Sequence, residues 1–254
     1  MDTQASGAPN EDIKEAAEPG PVRLGKTSGK RVSRRYLLAD NDIILAVNGT
    51  PWNRIGSVTE AIARVLDRGQ RPVLLTVYRD QKLFSLFVDA PIDCQTEVVP
   101  AQEAQDLPSA GLERPVWEIR GMSNFAVFID NLDNADIFEM RRSFLAMAFP
   151  PFWLVARRLW AVLVSMVCVV LTAFILNKVF GILVYLILCI YISRRQFQMF
   201  EFAMRSEGKQ KRMVLAASAE AEAQKLAMAF HSALKFKFPF PETAQTDPEE
   251  VSVV

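Results

Sequence analysis

The chain has 254 residues, a formal net charge of zero and a hydrophobic fraction of 50%. This length accommodates one or two domains together with a membrane segment. The balanced charge gives no excess of basic residues, so the composition predicts no nucleic-acid partner. Cys94, Cys168 and Cys189 show no Cys-x-x-Cys spacing, which argues against a disulfide framework.

The first residues, 1–21, are acidic and contain glycine, proline and alanine, which predicts a disordered tail. They include no apolar run of the kind that a secretory signal peptide requires. The N-terminal domain is therefore expected to remain on the side of the membrane where it was synthesised.

Residues 22–90 have the pattern of a small α+β module. Aliphatic and β-branched runs alternate with turn signals, and one segment has apolar residues at helical spacing behind a hydroxyl residue. The predicted elements are a strand at Ile43–Val47, a turn at Asn48-Gly49, a helix at Ser57–Asp67 capped by Ser57 or Thr59, and strands at Pro72–Tyr78 and Leu83–Val88 joined by a turn at Arg79–Lys82.

The stretch LADNDIILAVNG at 38–49 resembles the GD-x-I-x-x-V-N-G signature of PDZ domains. A helix at 58–66 and the strand VLLTVYRD at 73–80 follow in the family's order, so the resemblance covers residues 37–88. Asn41 stands where the family usually has glycine. The resemblance implies a PDZ-like module over 22–90.

In PDZ domains a helix flanks the groove that takes up a partner peptide. The resemblance therefore implies partner contact through Arg54, Val58 and Ile62. The family's carboxylate-binding loop would lie upstream of the signature, where residues 22–35 are the available segment.

The next two segments connect this module to an apolar region. Residues 91–115, rich in Pro, Gln, Asp and Ala, predict a linker. Residues 116–142 predict short strands and a pre-membrane helix. These elements are strand-like runs at Val116–Ile119 and Phe125–Ile129 around Gly121, and a helix that starts near Ile137 with Asn134 or Asp136 as its cap.

From Leu159 to Ile192 the chain carries a single charge, Lys178. One helix of that length would measure about 50 Å, whereas a hydrocarbon core is about 30 Å thick. The interruption at Asn177 predicts instead a two-helix transmembrane hairpin over 159–193, with Lys178 at a polar tip. The preceding segment, 143–158, is apolar and aromatic but too short to span, so it is expected to lie in the interface.

The sequence SFLAMAFPPFWLVARRLW at 143–160 is similar to a run found in a family of small bacterial inner-membrane proteins of unknown function. That run reads F-x-x-A-F-x-x-P-x-W and is followed by Arg and Trp at the start of a membrane hairpin. The resemblance covers residues 137–195, and it implies a topology and no activity.

Arginine pairs abut both ends of the apolar run. They are Arg157 with Arg158 and Arg194 with Arg195, whereas the tip carries only Lys178. The positive-inside rule then predicts a two-pass integral membrane protein with both termini cytoplasmic.

After the apolar run, residues 194–238 keep helical spacing and predict a trailing cytoplasmic helix. Its last part, Lys235–Phe240, alternates basic and aromatic residues, a pattern suited to lipid headgroups. Residues 239–254 predict a second disordered tail. The ending Ser252-Val253-Val254 resembles a class I PDZ ligand, or ends in valine by chance.

Catalytic motifs are absent from the sequence. His231 is the only histidine, and neither G-x-S-x-G nor H-E-x-x-H occurs. The sequence therefore predicts no enzyme, no cofactor and no metal site.

The predicted fold class is α+β, with an N-terminal PDZ-like module, a linker, a two-helix transmembrane hairpin and a trailing cytoplasmic helix. The predicted function is a membrane-anchored interaction module that acts as an adaptor, assembly factor or accessory subunit. The alternatives are a regulatory subunit that presents substrate to a membrane protease, and a lipid- or transport-associated protein. The predicted partners are membrane proteins or a membrane complex, the lipid bilayer and a C-terminal peptide.

Overall fold

The computed structural model describes residues 20–27, 31–67, 72–141, 143–237 and 239. Within these ranges the chain is an α+β protein with two β-sheets, which confirms the predicted class. The tails predicted over 1–21 and 239–254 lie almost entirely outside the described residues, as does the Ser252-Val253-Val254 ending.

The first sheet is formed by strands that lie close together in the sequence. Its strand order is β5-β4-β2-β1-β6, with β3 paired to β2, and all its pairings are antiparallel. The elements of this part are β1 Val22–Leu24, α1 Arg31–Tyr36, β2 Ile43–Val47, β3 Thr50–Pro51, α2 Trp52–Ile55, α3 Val58–Asp67, β4 Val73–Arg79, β5 Lys82–Val88, β6 Thr96–Val98 and α4 Ala101–Gln105.

The strands, the helix and the turns predicted between 43 and 88 are confirmed by β2, α3, β4 and β5. Two residues of the signature stretch hold this part together. Asp42 is almost fully buried and accepts two hydrogen bonds of 2.6 Å from the guanidinium of Arg79 on β4. The side chain of Asn48 accepts a 2.8 Å hydrogen bond from the Leu74 amide, which ties the β2–β3 turn to β4.

The segment predicted as a linker, 91–115, packs against the first sheet. Its strand β6 pairs with β1, and Val99 and Leu112 are buried in a cluster with Ile43 and Leu45. Although Pro, Gln and Asp dominate its composition, two apolar side chains are enough to cover the second face of the sheet. The segment is therefore packed against the first sheet and is not the linker that was predicted.

The second sheet combines segments that lie far apart in the sequence. Its order is β10-β8-β7-β9; β10 pairs with β8 in parallel, and the other pairings are antiparallel. Four helices lie between β8 and β9 in the chain. The elements of this part are α5 Val116–Gly121, β7 Ser123–Ile129, β8 Asn134–Glu139, α6 Phe144–Ala148, α7 Pro150–Ala156, α8 Trp160–Leu176, α9 Lys178–Ser206, β9 Gln210–Ala217, α10 Glu220–Phe230 and β10 Lys235–Phe236.

Three predictions in this part are wrong. The run at 116–119 begins a helix, α5, because Pro115 occupies the N-cap position. The polar break at 130–136 does not cap a helix at Ile137. Asp130 instead accepts hydrogen bonds from the amides of Leu132 and Asn134, and this turn joins β7 to β8.

The predicted trailing helix over 194–238 is the third correction. Helix α9 continues only to Ser206, and the chain then forms β9, α10 and β10. Residues 214–217 favour helix by composition but are all buried as part of β9, which pairs with β7. Tertiary burial therefore overrides local helix propensity here.

Helices α8 and α9 pack against each other and are joined by the single residue Asn177. The Asn177 side chain accepts hydrogen bonds from the amides of Val179 and Phe180, and so caps α9. A Cβ atom added at Gly181 would lie 2.6 Å from the ring of Phe174, so glycine permits the close approach of the two helices. Because a single residue joins them and they contact each other, the two helices form an antiparallel pair.

The two sheets are in direct contact. The side chain of Asn124 on β7 accepts from the amide of Phe87 and donates to its carbonyl, both at 2.8 Å. These bonds satisfy the outer edge of β5. Burial lowers the pKa of Lys211 on β9, against the opposing effect of Glu201, and the Lys211 amine donates to the carbonyl of Arg35.

Candidate functional site at the base of the α8–α9 pair

A cavity of about 330 Å³ lies where the chain enters α8 and where α9 ends. We call it the base cavity. It brings together β8, the turn after α7, the last turns of α9, the start of α10 and β10. The lining residues are Ala135, Asp136, Ile137, Ala156, Arg157, Arg158, Phe200, Met204, Glu207, Glu220, Gln224, Phe236 and Lys237.

A tight turn fixes the two arginines on the cavity wall. The amide of Leu159 donates to the carbonyl of Leu154 at 2.9 Å, and the amide of Arg158 donates to that of Val155 at 3.0 Å. Arg158 has a φ of 57°. This is the Schellman arrangement that ends a helix, with buried Leu154 and Leu159 at its hydrophobic contact. The turn redirects the chain into α8 and leaves Arg157 and Arg158 on the cavity wall.

A second Schellman turn ends α9. The amide of Lys209 donates to the carbonyl of Met204 at 2.9 Å, and Gly208 supplies the left-handed residue with a φ of 80°. The turn places the buried Lys209 amine against Asp136 on β8, and Glu207 lies 3.6 Å from the same amine. Burial lowers the pKa of Lys209, but its contacts with Asp136 and Glu207 outweigh that effect, and the net shift is upward.

Arg157 and Glu220 both line the cavity, and their opposite charges attract each other. The Arg157 guanidinium also lies 5.0 Å from the ring centre of Phe138. The Glu220 side chain reaches solvent at the start of α10. Desolvation nevertheless raises its pKa, Asp136 acts in the same direction, and the positive charge of Arg157 opposes the shift.

The rest of the wall is apolar. Phe200 and Met204 on α9 are buried, and the Phe200 ring stacks on Phe138 at 4.2 Å between centroids. Ala135, Phe236 and Lys237 line both the base cavity and a neighbouring cavity of about 300 Å³, and Lys209 lines the neighbouring one. The base cavity thus combines cationic, acidic and apolar groups.

The structure separates the predicted membrane-flanking arginines into two groups. Arg157 and Arg158 line the base cavity, whereas Arg194 and Arg195 lie exposed on α9, outside its lining residues. Arg195 donates to Gln198 at 2.6 Å.

The residues predicted for partner contact do not share a surface. Val58 and Ile62 are 0% and 5% exposed, because they form the inner face of α3 against the first sheet. Their side chains are core residues and cannot present themselves to a partner. Arg54 is exposed and pairs with Glu113 at 2.9 Å.

Sequence reasoning missed Lys209, Glu220 and Gln224. No motif marks them, since each reaches the base cavity only through tertiary packing. Phe236 and Lys237, from the segment of alternating basic and aromatic residues, line the cavity.

Metal ligation and histidine chemistry find little support in the described part of the chain. No group of three or more His, Cys, Asp or Glu side chains there has the arrangement to hold a metal ion. His231 follows α10, is exposed, and lies 2.9 Å from a carboxylate oxygen of Asp133.

One helix among the described residues, α9, is long and apolar enough by length and composition to cross a membrane. Helix α8 is apolar but shorter, with 17 residues. Comparison of the chain with protein-family models, with curated proteins and with solved structures returned no significant match.

Proposed function

We propose that this protein is a non-catalytic interaction module anchored in a membrane by a two-pass hairpin made of α8 and α9. The observation that carries this proposal is the large apolar surface that these helices expose. Ile175 is 85% exposed and Val179 is 76% exposed, and the exposed set includes Val164, Val167, Val169, Leu171, Phe174, Leu176, Phe180, Ile182, Leu183, Leu186, Ile187 and Ile190.

Such a surface is far larger than a soluble monomer normally exposes to water. A hydrocarbon core would bury it at a gain of about 25 cal/mol per Å² of apolar area. Arg157 and Arg158 before α8, and Arg194 and Arg195 on α9, stand at the limits of this surface. Arginines at these positions are suited to the headgroup region.

The strand pairing supports an even number of membrane crossings. Strand β7 precedes the apolar helices and β9 follows them, yet the two strands are paired side by side. A single crossing by α9 would put these strands on opposite sides of the bilayer. With two crossings both halves of the second sheet remain on one side, which by the arginine placement is the cytoplasmic side.

Helix length is compatible with this topology. At 1.5 Å per residue α8 measures about 26 Å, slightly less than a hydrocarbon core of about 30 Å. Arg158 can extend its side chain toward the headgroups, and the bilayer can thin locally. Helix α9, with 29 residues, is about 44 Å long and continues past the membrane to pack on the second sheet.

Helices α6 and α7 fit the interfacial role predicted for 143–158. They pack against α8 and α9 and bury Trp153 and Leu154. On their other side Phe144, Phe149 and Phe152 are exposed. Short helices with one apolar exposed face bind at the boundary between headgroups and acyl chains.

For the soluble part we propose a PDZ-like interaction domain. Its support is the order of β2, α3, β4 and β5 and the structural roles of Asp42 and Asn48 in the signature stretch, with Arg79 on β4 as the partner of Asp42. Because Val58 and Ile62 are buried, we assign partner contact to Arg54 and to Trp117 on α5, which is 77% exposed. Exposed aromatic and arginine side chains are the residue types that dominate protein interfaces.

Cysteine labelling tests the topology. In a chain whose Cys94, Cys168 and Cys189 are replaced by alanine, single cysteines are introduced at Gln105, Lys178 and Lys235. We expect Gln105 and Lys235 to react from one side of the membrane and Lys178 from the other. Reaction of all three from one side would refute the two-pass hairpin, and reaction of Gln105 and Lys235 from opposite sides would indicate a single crossing.

Co-purification in mild detergent tests the interaction. A specific membrane-protein partner should be recovered with the full chain and lost with Trp117→Ala, whereas Leu132→Ala, at another exposed apolar side chain, should retain it. Equal recovery with the two variants would remove Trp117 from the proposal.

A lipid-associated role is the second candidate function. The base cavity favours it, since the cavity contains arginines and lies at the end of the apolar surface.

A further inference from the structure

We propose that the base cavity binds the phosphate group of a phospholipid headgroup, with Arg157, Arg158 and Lys237 as its cationic contacts. This inference rests on the proposed membrane anchoring. It assigns a class of ligand to the base cavity. A general attraction between arginines and lipid headgroups would not require such a cavity.

The chemistry of the wall suits a phosphate ester. Guanidinium groups present several donors in a rigid plane and bind phosphate oxygens through paired, charge-assisted hydrogen bonds. The Schellman turn fixes the backbone of the two arginines, so that little main-chain entropy is lost on binding. Arg157 also lies against the Phe138 ring, which limits the positions of its guanidinium.

The charges of the cavity leave an attraction for an anion. Lys209 bridges Asp136 and Glu207, two of the three carboxylates at the wall. Glu220 is the third, and desolvation raises the pKa of its carboxyl, which favours the neutral form. The lining itself holds the cations Arg157, Arg158 and Lys237 and the carboxylates Asp136, Glu207 and Glu220, and Lys209, outside the lining, offsets part of the negative charge of Asp136 and Glu207.

The position of the cavity points to a lipid as the source of the phosphate. Arg158 directly precedes Leu159, where the apolar run begins, so the cavity opens within a few ångström of the proposed hydrocarbon boundary. Phe200, Met204 and Phe236 supply apolar surface for a glycerol backbone and the first acyl carbons. A volume of about 330 Å³ lies at the lower end of the range for small-molecule sites, about 300–1,000 Å³.

The test compares two double variants of the full chain in detergent. Arg157→Gln/Arg158→Gln removes the cavity arginines, whereas Arg194→Gln/Arg195→Gln removes the same charge from the second arginine pair, which lies outside the cavity lining. The probes are short-chain phosphatidylglycerol, short-chain phosphatidylethanolamine, glycerol 3-phosphate and inorganic phosphate. Native mass spectrometry counts bound molecules, and titration gives the dissociation constants.

We expect one saturable phospholipid on the unsubstituted chain. Its dissociation constant should rise by about tenfold or more in the 157/158 variant and by less than about threefold in the 194/195 variant. If glycerol 3-phosphate binds as tightly as the lipid, the phosphate chemistry is supported and a soluble ester is the source. Equal weakening in both variants, or no saturable binding of any probe, would overturn the proposal.

A membrane-extraction assay on the same variants separates this inference from the proposed function. Both variants should resist alkaline extraction, because the apolar helices are unchanged. Loss of bound lipid with retained membrane insertion identifies the cavity as the site. Extraction of the unsubstituted chain would contradict the membrane anchoring itself, whatever the lipid measurement gives. A further variant, Arg157→Lys/Arg158→Lys, separates charge from geometry. Lipid binding equal to that of the unsubstituted chain would show that positive charge suffices, and weakened binding would show that the planar guanidinium group is required.

Discussion

The first and second sheets differ in the sequence distance between their strands. The first sheet takes its strands from 22–98, where short turns join β2 to β3 and β4 to β5, and β1 pairs with β6 at the two ends of this segment. The second sheet pairs 123–139 with 210–217 across the whole apolar region. The first sheet can therefore form within one segment of the chain, whereas the second requires that α8 and α9 bring β9 back beside β7. The second sheet consequently links the packing of the soluble part to the proposed membrane topology.

Substitution in the centre of the second sheet should give the largest effect. Phe128 on β7 is fully buried and packs edge-on against Phe200 of α9 at 5.6 Å between centroids. Phe128→Ala removes that contact and leaves a cavity, so we expect a loss of about 3–5 kcal/mol of unfolding free energy. Denaturant titration of the full chain in detergent measures it.

The matched control is Leu132→Ala in the β7–β8 turn, at an exposed side chain, where the expected change is within about 0.5 kcal/mol. If Phe128→Ala also changed stability by so little, the contact between α9 and the second sheet would not contribute as described.

A substitution in the segment 91–115 tests whether this segment stabilises the first sheet. Leu112 is almost fully buried, in the cluster with Leu45. Leu112→Ala should cost about 2–4 kcal/mol, and Gln105→Ala, at an exposed position of α4, should cost almost nothing. Thermal unfolding of the two variants separates a packed segment from a flexible connection, since a flexible connection would tolerate both.

The sequence predicted β2, β4 and β5 of the first sheet, and not β1, β3 or β6, because the signals for these three strands are self-contained. The run at 43–47, the turn at Asn48-Gly49 and the apolar spacing of α3 each specify an element without reference to distant residues. By contrast, the helical spacing at 214–217 is a local preference that loses to pairing with β7. The apolar residues of 91–115 were too few to outweigh its polar composition.

The base cavity could be predicted only in part. Arg157 and Arg158 were found through the positive-inside rule, which concerns topology and says nothing of a cavity. Lys209 and Glu220 carry no sequence signal, since their neighbours come from β8, from the turn after α7 and from α9. A site assembled from four distant segments is visible only after those segments are packed.

The junction between the sheets offers a smaller and more selective test. Asn124 satisfies both the amide and the carbonyl of Phe87 at the edge of β5. Asn124→Ala leaves both groups without this partner, and we expect a loss of about 1–3 kcal/mol. Asn124→Asp keeps an acceptor for the amide but places a carboxylate oxygen against the Phe87 carbonyl oxygen, so its loss should be at least as large as that of Asn124→Ala. Hydrogen exchange at the Phe87 amide reports the junction directly, and unchanged protection in Asn124→Ala would show that the sheets do not depend on it.

The smallest predicted effect concerns pH and Glu220. Desolvation, together with Asp136 and Glu139 on β8, raises the pKa of this carboxyl, and Arg157 opposes the shift. As the pH falls through the raised pKa, Glu220 takes up a proton and the cavity gains one unit of positive charge, while Lys209, whose pKa is shifted upward, stays protonated. Binding of short-chain phosphatidylglycerol, whose phosphodiester keeps its single charge, should therefore strengthen by a few fold as the pH falls through that raised pKa. Glu220→Gln should bind in alkaline buffer as tightly as the unsubstituted chain binds in acid, and with little further pH dependence.

Glu222→Gln serves as the control, because Glu222 lies on the same helix, accepts a hydrogen bond from Ser218 and is outside the cavity lining. If the pH dependence persisted in Glu220→Gln, the assignment of Glu220 as the titrating residue would be wrong.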